Sequence, residues 1–261
     1  ETPVPCIQCN QTVKFSDLLG ESKKLNADTL VTGHYAIRKG GLKGSKLYKA
    51  IDKSKDQSYF LFATLQDQLD YVRFPLGNYL KSEIRKLAKD YKLIVSDKPD
   101  SQDICFVTSD SYRDLINKIQ PEINKEGNIF DIDGIKIGTH IGIANYTVGQ
   151  RKGVGIGGQE KPLYVKEVNK DQNYIVLASY EHLQKNKICF KDINLLDSEI
   201  KNQTLECSAK IRSTQNEISG KLTITDNSGY FLFDNVISAT SPGQACVFYK
   251  NDQVLGGGWI T

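Results

Sequence analysis

Hydrophobic positions early in this chain recur at helical spacing, whereas from about residue 127 onward they alternate with polar ones. Residues 13–25 place Phe15, Leu18, Leu19 and Leu25 on one helical face, and residues 80–90 do the same with Leu80, Ile84, Leu87 and Ala88. Residues 57–69 also read as helical. Between them lie two short apolar runs: DTLVTGHY at 28–35, a buried strand stopping at a Gly33-His34 turn, and Leu93-Ile94-Val95. Alternating helix and strand over the first 105 or so residues predicts part of an α/β domain. A helix is expected at 111–119, and then the texture changes. Residues 127–142 read as short strands around an Asp133-Gly134 hairpin turn, and 162–178 as two strands about a polar turn. From Ile188 on, LECSAKIRS, GKLTITD, GYFLFD and QACVFYK predict a small antiparallel barrel or sandwich.

Composition narrows this picture. With 39% hydrophobic and 25% charged residues the chain reads as globular and water-soluble. No run approaches the ~18 apolar residues of a membrane span. A net charge of +3 is too small to demand a polyanionic partner. Its distribution is uneven, however: Ala36 to Ile51 carries Arg38, Lys39, Lys43, Lys46 and Lys49 with no acid, and Lys53 and Lys55 follow among Asp52 and Asp56. That stretch is either a phosphate-facing surface or a solvated loop. The chain has no methionine and opens on the loop-like ETPVPC, so an incomplete N-terminus is expected and a missing leader says nothing about location.

Six cysteines are too sparse for a secreted disulfide scaffold, which favours a reducing cytosol, with Cys189, Cys207 and Cys246 as buried thiols in strands. Cys6 and Cys9 in PCIQCN and Cys105 in DSQDICFV are different. Three thiols that a fold can bring together suit sulfur transfer or a metal cluster.

Taken in order, the fragments TPVPCIQCN, VKF, TGHYA, KDQSYFLF, PLGNYLKSEIRKLA, KPDSQDICFV, YTVGQRKGVGIGG, PLYV, KIRSTQ, SPGQACVFY and VLGGGWI resemble the bacterial tRNA-specific 2-thiouridylase family, from Thr2 to Ile260. The resemblance implies an α/β plus β fold. Residues 1–108 would be the C-terminal part of an ATP-pyrophosphatase domain, 109–184 a small central domain and 185–261 an antiparallel β-barrel. It implies a cytoplasmic enzyme that uses ATP, with Mg2+, to adenylate the C2 oxygen of the wobble uridine in tRNAs for Lys, Glu and Gln. A persulfide supplied by a donor protein would then displace AMP, with no membrane involved.

Residue by residue, Cys105 matches the persulfide carrier, and Cys9 the cysteine that releases sulfur by forming a disulfide with it. Gly33 and His34 match a nucleotide and target-base pocket. Lys55, Asp56 and Gln57, then Arg212 and Ser213, then Gln244 match tRNA contacts. Without the resemblance these residues would read as a strand-ending turn, a helix start and plain surface. Gln150, Arg151 and Lys152 precede Gly153, Gly155, Gly157 and Gly158, but a strand-like PLYV follows, which excludes a dinucleotide fingerprint. A basic loop at the RNA backbone or a simple glycine turn remains.

Two departures stand out. The family's Ser-Gly-Gly-x-Asp-Ser phosphate loop is not among the 261 residues, so these residues alone are expected not to activate uridine. Some relatives carry an aspartate three residues before the second cysteine, where Cys6 stands here; the family's Asn in TPNPC is Val4. As an alternative to the relay, Cys6, Cys9 and Cys105 admit an Fe–S cluster with one open iron, while structural zinc lacks a fourth ligand. The rival readings are a sulfur-inserting enzyme acting on another tRNA base and a non-catalytic RNA-binding module.

Overall fold

The computed structural model describes residues 4–41, 43–98, 124–158, 161–238 and 240–261. The helix expected at 111–119 and Cys105 lie outside them. The chain divides into two compact units, one comprising residues 3–100, 187–234 and 243–261, the other 1–2, 101–186 and 235–242.

In the larger unit the first described helix begins at Pro5. Pro5 opens α1 (Pro5–Cys9), where its missing N–H is no loss and its fixed φ suits the first turn. A π-helical stretch, Asn10–Asp17, continues into α2 (Leu18–Lys24). Ile7, Phe15 and Leu19 are buried, but Leu18 and Leu25, expected on the same face, are exposed. The wider π turn explains the difference, because it slips the register that a uniform 3.6-residue period assumes. Strand β1 (Leu30–Val31) is shorter than its apolar run. The chain then forms a hairpin of β2 (Ala36–Lys39) and β3 (Lys46–Lys49), and α3 (Gln66–Tyr71) leads into β4 (Val72–Arg73). β1 and β4 pair in parallel, Leu30 with Val72 and Val31 with Arg73, which is the α/β element of the fold.

Helix α4 (Lys81–Asp90) starts where Glu83 accepts a hydrogen bond from Leu80 N at 2.6 Å. The strand expected at Leu93–Val95 is instead the entry to a 3-10 turn, Ile94–Asp97, with Ile94 and Val95 exposed. No described strand lies beside it to pair its backbone, so the groups close locally: Ser96 N donates to Leu93 O and Lys98 N to Val95 O.

The smaller unit holds β5 (Gly127–Phe130), β6 (Lys136–His140), β7 (Tyr164–Asn169) and β8 (Tyr174–Ala178) in the order β6-β5-β8-β7. Only β5 and β8 run parallel. The turn at Asp133-Gly134 forms as expected: Asp131 Oδ1 accepts from Asp133 N and Ile135 N, and Gly134 takes φ +79°. Ile129, Ile143, Val154, Val165, Ile175 and Leu177 form its core. His140 is buried there, with Nδ1 accepting from Gly142 N and Nε2 donating to Asn173 O, a satisfied core histidine.

The alternating C-terminal segments become β9 (Lys185–Leu195), β10 (Thr204–Lys210), β11 (Ile218–Thr225), β12 (Ser228–Ile237), β13 (Ala245–Lys250) and β14 (Gln253–Ile260). They close into a six-stranded barrel, β13-β10-β11-β12-β9-β14, shut by the β13–β14 pair. The first residues of β14 pair with β3, Val254 opposite Leu47, before the strand turns to β9 at Gly256. There φ is +145°, and a Cβ would stand 2.2 Å from Asn194 O.

Strand β13 is buried from Ala245 to Tyr249 because both of its faces are covered. Phe248 meets Phe190 and Phe231 inside the barrel, while Ala245, Val247 and Tyr249 share a core with Ile7, Phe15, Leu47, Tyr59 and Phe62. The N-terminal helix and the barrel wall thus belong to one core. Among the described residues no helix is long and apolar enough to cross a membrane.

Candidate functional site

Cys6 and Cys9 occupy one turn of α1, three positions apart; Cys6 is exposed and Cys9 partly buried. The next residue, Asn10, is only 4% exposed and holds three elements together. Its Nδ2 donates to Phe60 O at 3.1 Å, while its Oδ1 accepts from Lys14 Nζ at 3.0 Å and lies 3.1 Å from His34 Nε2. Thr32 Oγ1 is 2.8 Å from His34 Nδ1. One tautomer satisfies this network: Thr32 donates to Nδ1, and Nε2–H donates to Asn10. His34 is wedged between the Phe15 and Phe74 rings, with centroids 5.9 and 6.0 Å away. Burial, reinforced by the Lys14 cation, lowers its pKa to about 4, so the imidazole is neutral at physiological pH.

Gly33 is exposed beside it. An added Cβ would meet only Leu76 Cδ1 at 3.7 Å, an ordinary contact, so packing does not demand glycine here. The segment Lys55–Gln57 is strapped to the same turn: Tyr35 N donates to Gln57 Oε1 at 2.9 Å and Gln57 N to Tyr35 O at 2.8 Å. Asp56 folds its own loop, accepting from Ala50 N and Ser58 N on Oδ1 and from Ser58 Oγ on Oδ2. Both side chains therefore have folding roles within the chain.

From this segment Tyr59 reaches the barrel, donating to Ala245 O at 2.9 Å, next to Gln244. Arg212 is close enough to act on the Tyr59 phenol, and Arg212 and Ser213 are exposed. The fold thus links the CxxC helix, the Gly33-His34 turn, the 55–57 loop and the barrel segments at 212–213 and 244, although nearly 240 positions separate the ends of that set.

The basic stretch is less open than its sequence implies. Arg38 donates to Leu69 O and Asp70 O, Lys46 faces Asp197 at 3.6 Å, Lys53 faces Asp252 at 2.6 Å, and Lys49 is buried against Glu217. Of the three strand cysteines, Cys246 is buried and Cys207 half-buried, and burial pushes the Cys207 thiol up to about 12. Cys189 is exposed, a correction to the expectation of burial. It faces outward on β9 between buried Ile188 and Phe190, as strand alternation requires.

Three domain profiles match in succession: a tRNA methyl transferase HUP domain over residues 1–109, a tRNA methyl transferase PRC-barrel domain over 113–179, and an aminomethyltransferase β-barrel domain over 185–260. Whole-length relatives are more specific. The chain is 50% identical over 262 residues to the tRNA-specific 2-thiouridylase MnmA of Wolbachia sp. subsp. Drosophila simulans (strain wRi), covering all of this chain and 70% of that protein. It is 47% identical over 263 residues to the enzyme of the same name from Rickettsia massiliae (strain Mtu5), covering 72% of it, and 46% identical to that of Rickettsia prowazekii (strain Madrid E), covering 73%. The chain belongs to the tRNA-specific 2-thiouridylase family. Its fold class, α/β plus β with a C-terminal barrel, is that of the family's matched domains.

Among the residues that pattern-reading missed, Asn10, Lys14 and Thr32 carry the network at the family's CxxC helix. The Asn10–Lys14 spacing of four was visible, but nothing in the sequence joined either residue to His34. Among the described residues no three His, Cys, Asp or Glu side chains converge as metal ligands. Cys6 and Cys9 supply two thiols; the set with Cys105 lies partly outside the described residues. No described helix follows a run of glycines, so no phosphate cradle of that kind is assigned within them.

Proposed function

We propose that this chain performs the sulfur-transfer half of tRNA 2-thiouridylation at the face where the CxxC helix meets the Gly33-His34 turn. The substrate is the wobble uridine of tRNAs for Lys, Glu and Gln, activated at its C2 oxygen by ATP with Mg2+. A cytoplasmic setting follows from a tRNA substrate and from thiols that must stay reduced. The terminal sulfur of a Cys105 persulfide, loaded by a donor protein, attacks C2. A C–S bond forms and the C2–O bond breaks as AMP leaves. The Cys9 thiolate then attacks the Cys105 sulfur, which gives a Cys9–Cys105 disulfide and leaves sulfur on C2; a dithiol reductant restores both thiols.

The observation that carries this reading is Asn10, the neighbour of Cys9, hydrogen-bonded to His34 and to Phe60. It fixes the thiol-bearing helix beside the turn that carries the exposed Gly33. Lys55, Gln57, Arg212, Ser213 and Gln244 then serve as flanking tRNA contacts, with the free amide of Gln57 as its reading group.

Replacing Cys105 by Ser in the protein expressed from its whole reading frame should abolish 2-thiouridine, scored by retardation of tRNA on mercury-containing gels, while tRNA affinity stays within about twofold. Thiolation retained in that variant would sink the assignment. Cys6→Ser decides between the relay and a cluster. A modest loss fits the relay, whereas complete loss of thiolation together with loss of an iron chromophore present in the parent fits an Fe–S cluster held by Cys6, Cys9 and Cys105. Intact wobble thiolation after gene disruption would point to a different target base.

A further inference from the structure

We propose that Lys14 is a phosphate-ester site: its ammonium group receives the phosphate of the adenylated base and stabilises AMP as it leaves. The inference rests on the reading of Gly33-His34 as the place where activated uridine sits.

Lys14 is half-buried on the π-helical stretch that follows Cys9. Its Nζ has two polar neighbours, Asn10 Oδ1 at 3.0 Å and His34 Nε2 at 3.4 Å, and both belong to neutral groups. No described carboxylate lies within 4 Å of it. Elsewhere the chain treats a buried lysine differently, for Lys49 has Glu217 at 2.5 Å and Asn251 O at 2.8 Å. A partly desolvated cation without a counter-ion is costly unless an anion arrives with a ligand.

The corner around Lys14 is built for an acceptor. Asn10 Oδ1 already takes two donors, and the neutral His34 ring points its N–H at Asn10, so neither competes for the ammonium as an anion would. Gly33, next to His34 in the chain, is exposed. Chemically, the charge that grows during sulfur attack appears on the phosphate as the C2–O bond breaks. One cation aimed there acts in the transition state more than in the ground state. Lys14 also lies on a π-helical stretch, and π turns within helices are frequent at functional sites.

The same phosphate chemistry could come from AMP or from the tRNA backbone, and kinetics separate the two. In the protein expressed from its whole reading frame, Lys14→Met should lower the thiolation kcat roughly a hundredfold. It should also raise the AMP inhibition constant about tenfold, and leave the tRNA dissociation constant and its salt slope unchanged. Lys14→Arg should restore most of the AMP affinity. A weaker tRNA complex whose salt slope falls by about one, with AMP inhibition intact, would mean a backbone contact and overturn the proposal. A lower Tm with unchanged kcat and AMP inhibition would mean a purely structural lysine and overturn it equally. The His34 imidazole resonance in Lys14→Met reports that the corner is still folded, because its titration should move upward once the neighbouring cation is gone. If the parent enzyme itself makes no 2-thiouridine, the underlying functional reading fails, and that result is distinguishable from all of these.

Discussion

His34 shows how one side chain can be read for stability and for chemistry together. Its pKa is about 4 in the folded chain, lowered first by burial and then by Lys14, against about 6.5 for an exposed histidine. The unfolded chain therefore takes up a proton that the folded chain refuses. Stability contributed by the neutral ring is fully present above pH 6.5, declines as the pH falls toward 4, and changes no further below that. The full span is on the order of 3 kcal/mol. His34→Gln keeps an amide donor and acceptor near Asn10 and Thr32 and should flatten the urea-unfolding stability curve between pH 6.5 and 4. His140, also depressed by burial, titrates in the same direction, so the difference between variant and parent is the quantity to measure. Equal acid slopes in the two proteins would show that His34 is not held neutral. Sequence reading reached Gly33 and His34 through a strand-ending turn and a family resemblance. It could not reach Asn10, Lys14 or Thr32, because the contacts that give them meaning cross 20 or more positions or depend on a tautomer.

At the level of elements, regular periodicity was readable and its interruptions were not. The alternation after Ile188 became the barrel strands, and the Asp133-Gly134 turn formed where its residue types require φ above zero. The π stretch at Asn10–Asp17 rotated Leu18 out to solvent, and Leu93–Val95 has no partner strand among the described residues, so two apolar patterns misled. The 50–58 loop is the instructive middle case. Lys55-Asp56-Gln57 matched a tRNA-contacting segment only through the family resemblance, whereas Asp56 organises the loop through Ala50 N, Ser58 N and Ser58 Oγ. Asp56→Ala leaves those donors without their acceptor and should destabilise the tRNA-free protein by about 1–3 kcal/mol in denaturant titrations. Asp56→Asn, which keeps Oδ1, should lose less than half of that. If Asp56→Ala instead unfolds like the parent but binds tRNA poorly, the residue acts on RNA and the loop holds without it.

Across the whole larger unit, the decisive contacts join parts of the chain some 200 positions apart, which no local pattern can reveal. Strand β3 extends the barrel by pairing with β14, and Lys49 at its end is 8% exposed. Its Nζ meets Glu217 Oε1 at 2.5 Å and Asn251 O at 2.8 Å, and sits 4.8 Å from the centre of the Tyr249 ring. Ser208 Oγ donates to the other Glu217 oxygen at 2.7 Å, so both ends of the pair are held. A largely buried pair of this kind contributes little compared with an apolar substitute, and removing Glu217 costs less than a fully stranded charge would, because Asp252 Oδ1 also lies 3.8 Å from Lys49 Nζ. Glu217→Gln should therefore lower the stability of the unit by about 1–3 kcal/mol. Lys49→Met combined with Glu217→Gln should recover much of it, since Met keeps the apolar stem over Tyr249 and leaves no buried ammonium. Because Ile7, Phe15, Leu47 and Tyr59 share one core with β13, the loss should appear as a single transition that exposes helix and barrel amides together in hydrogen exchange. If barrel amides stay protected while those around Cys9 open, the helix is docked on the barrel rather than built into it. The thiol-bearing helix and the barrel residues 212–213 and 244 could then move independently, and the proposed tRNA-contacting residues would not form one rigid face.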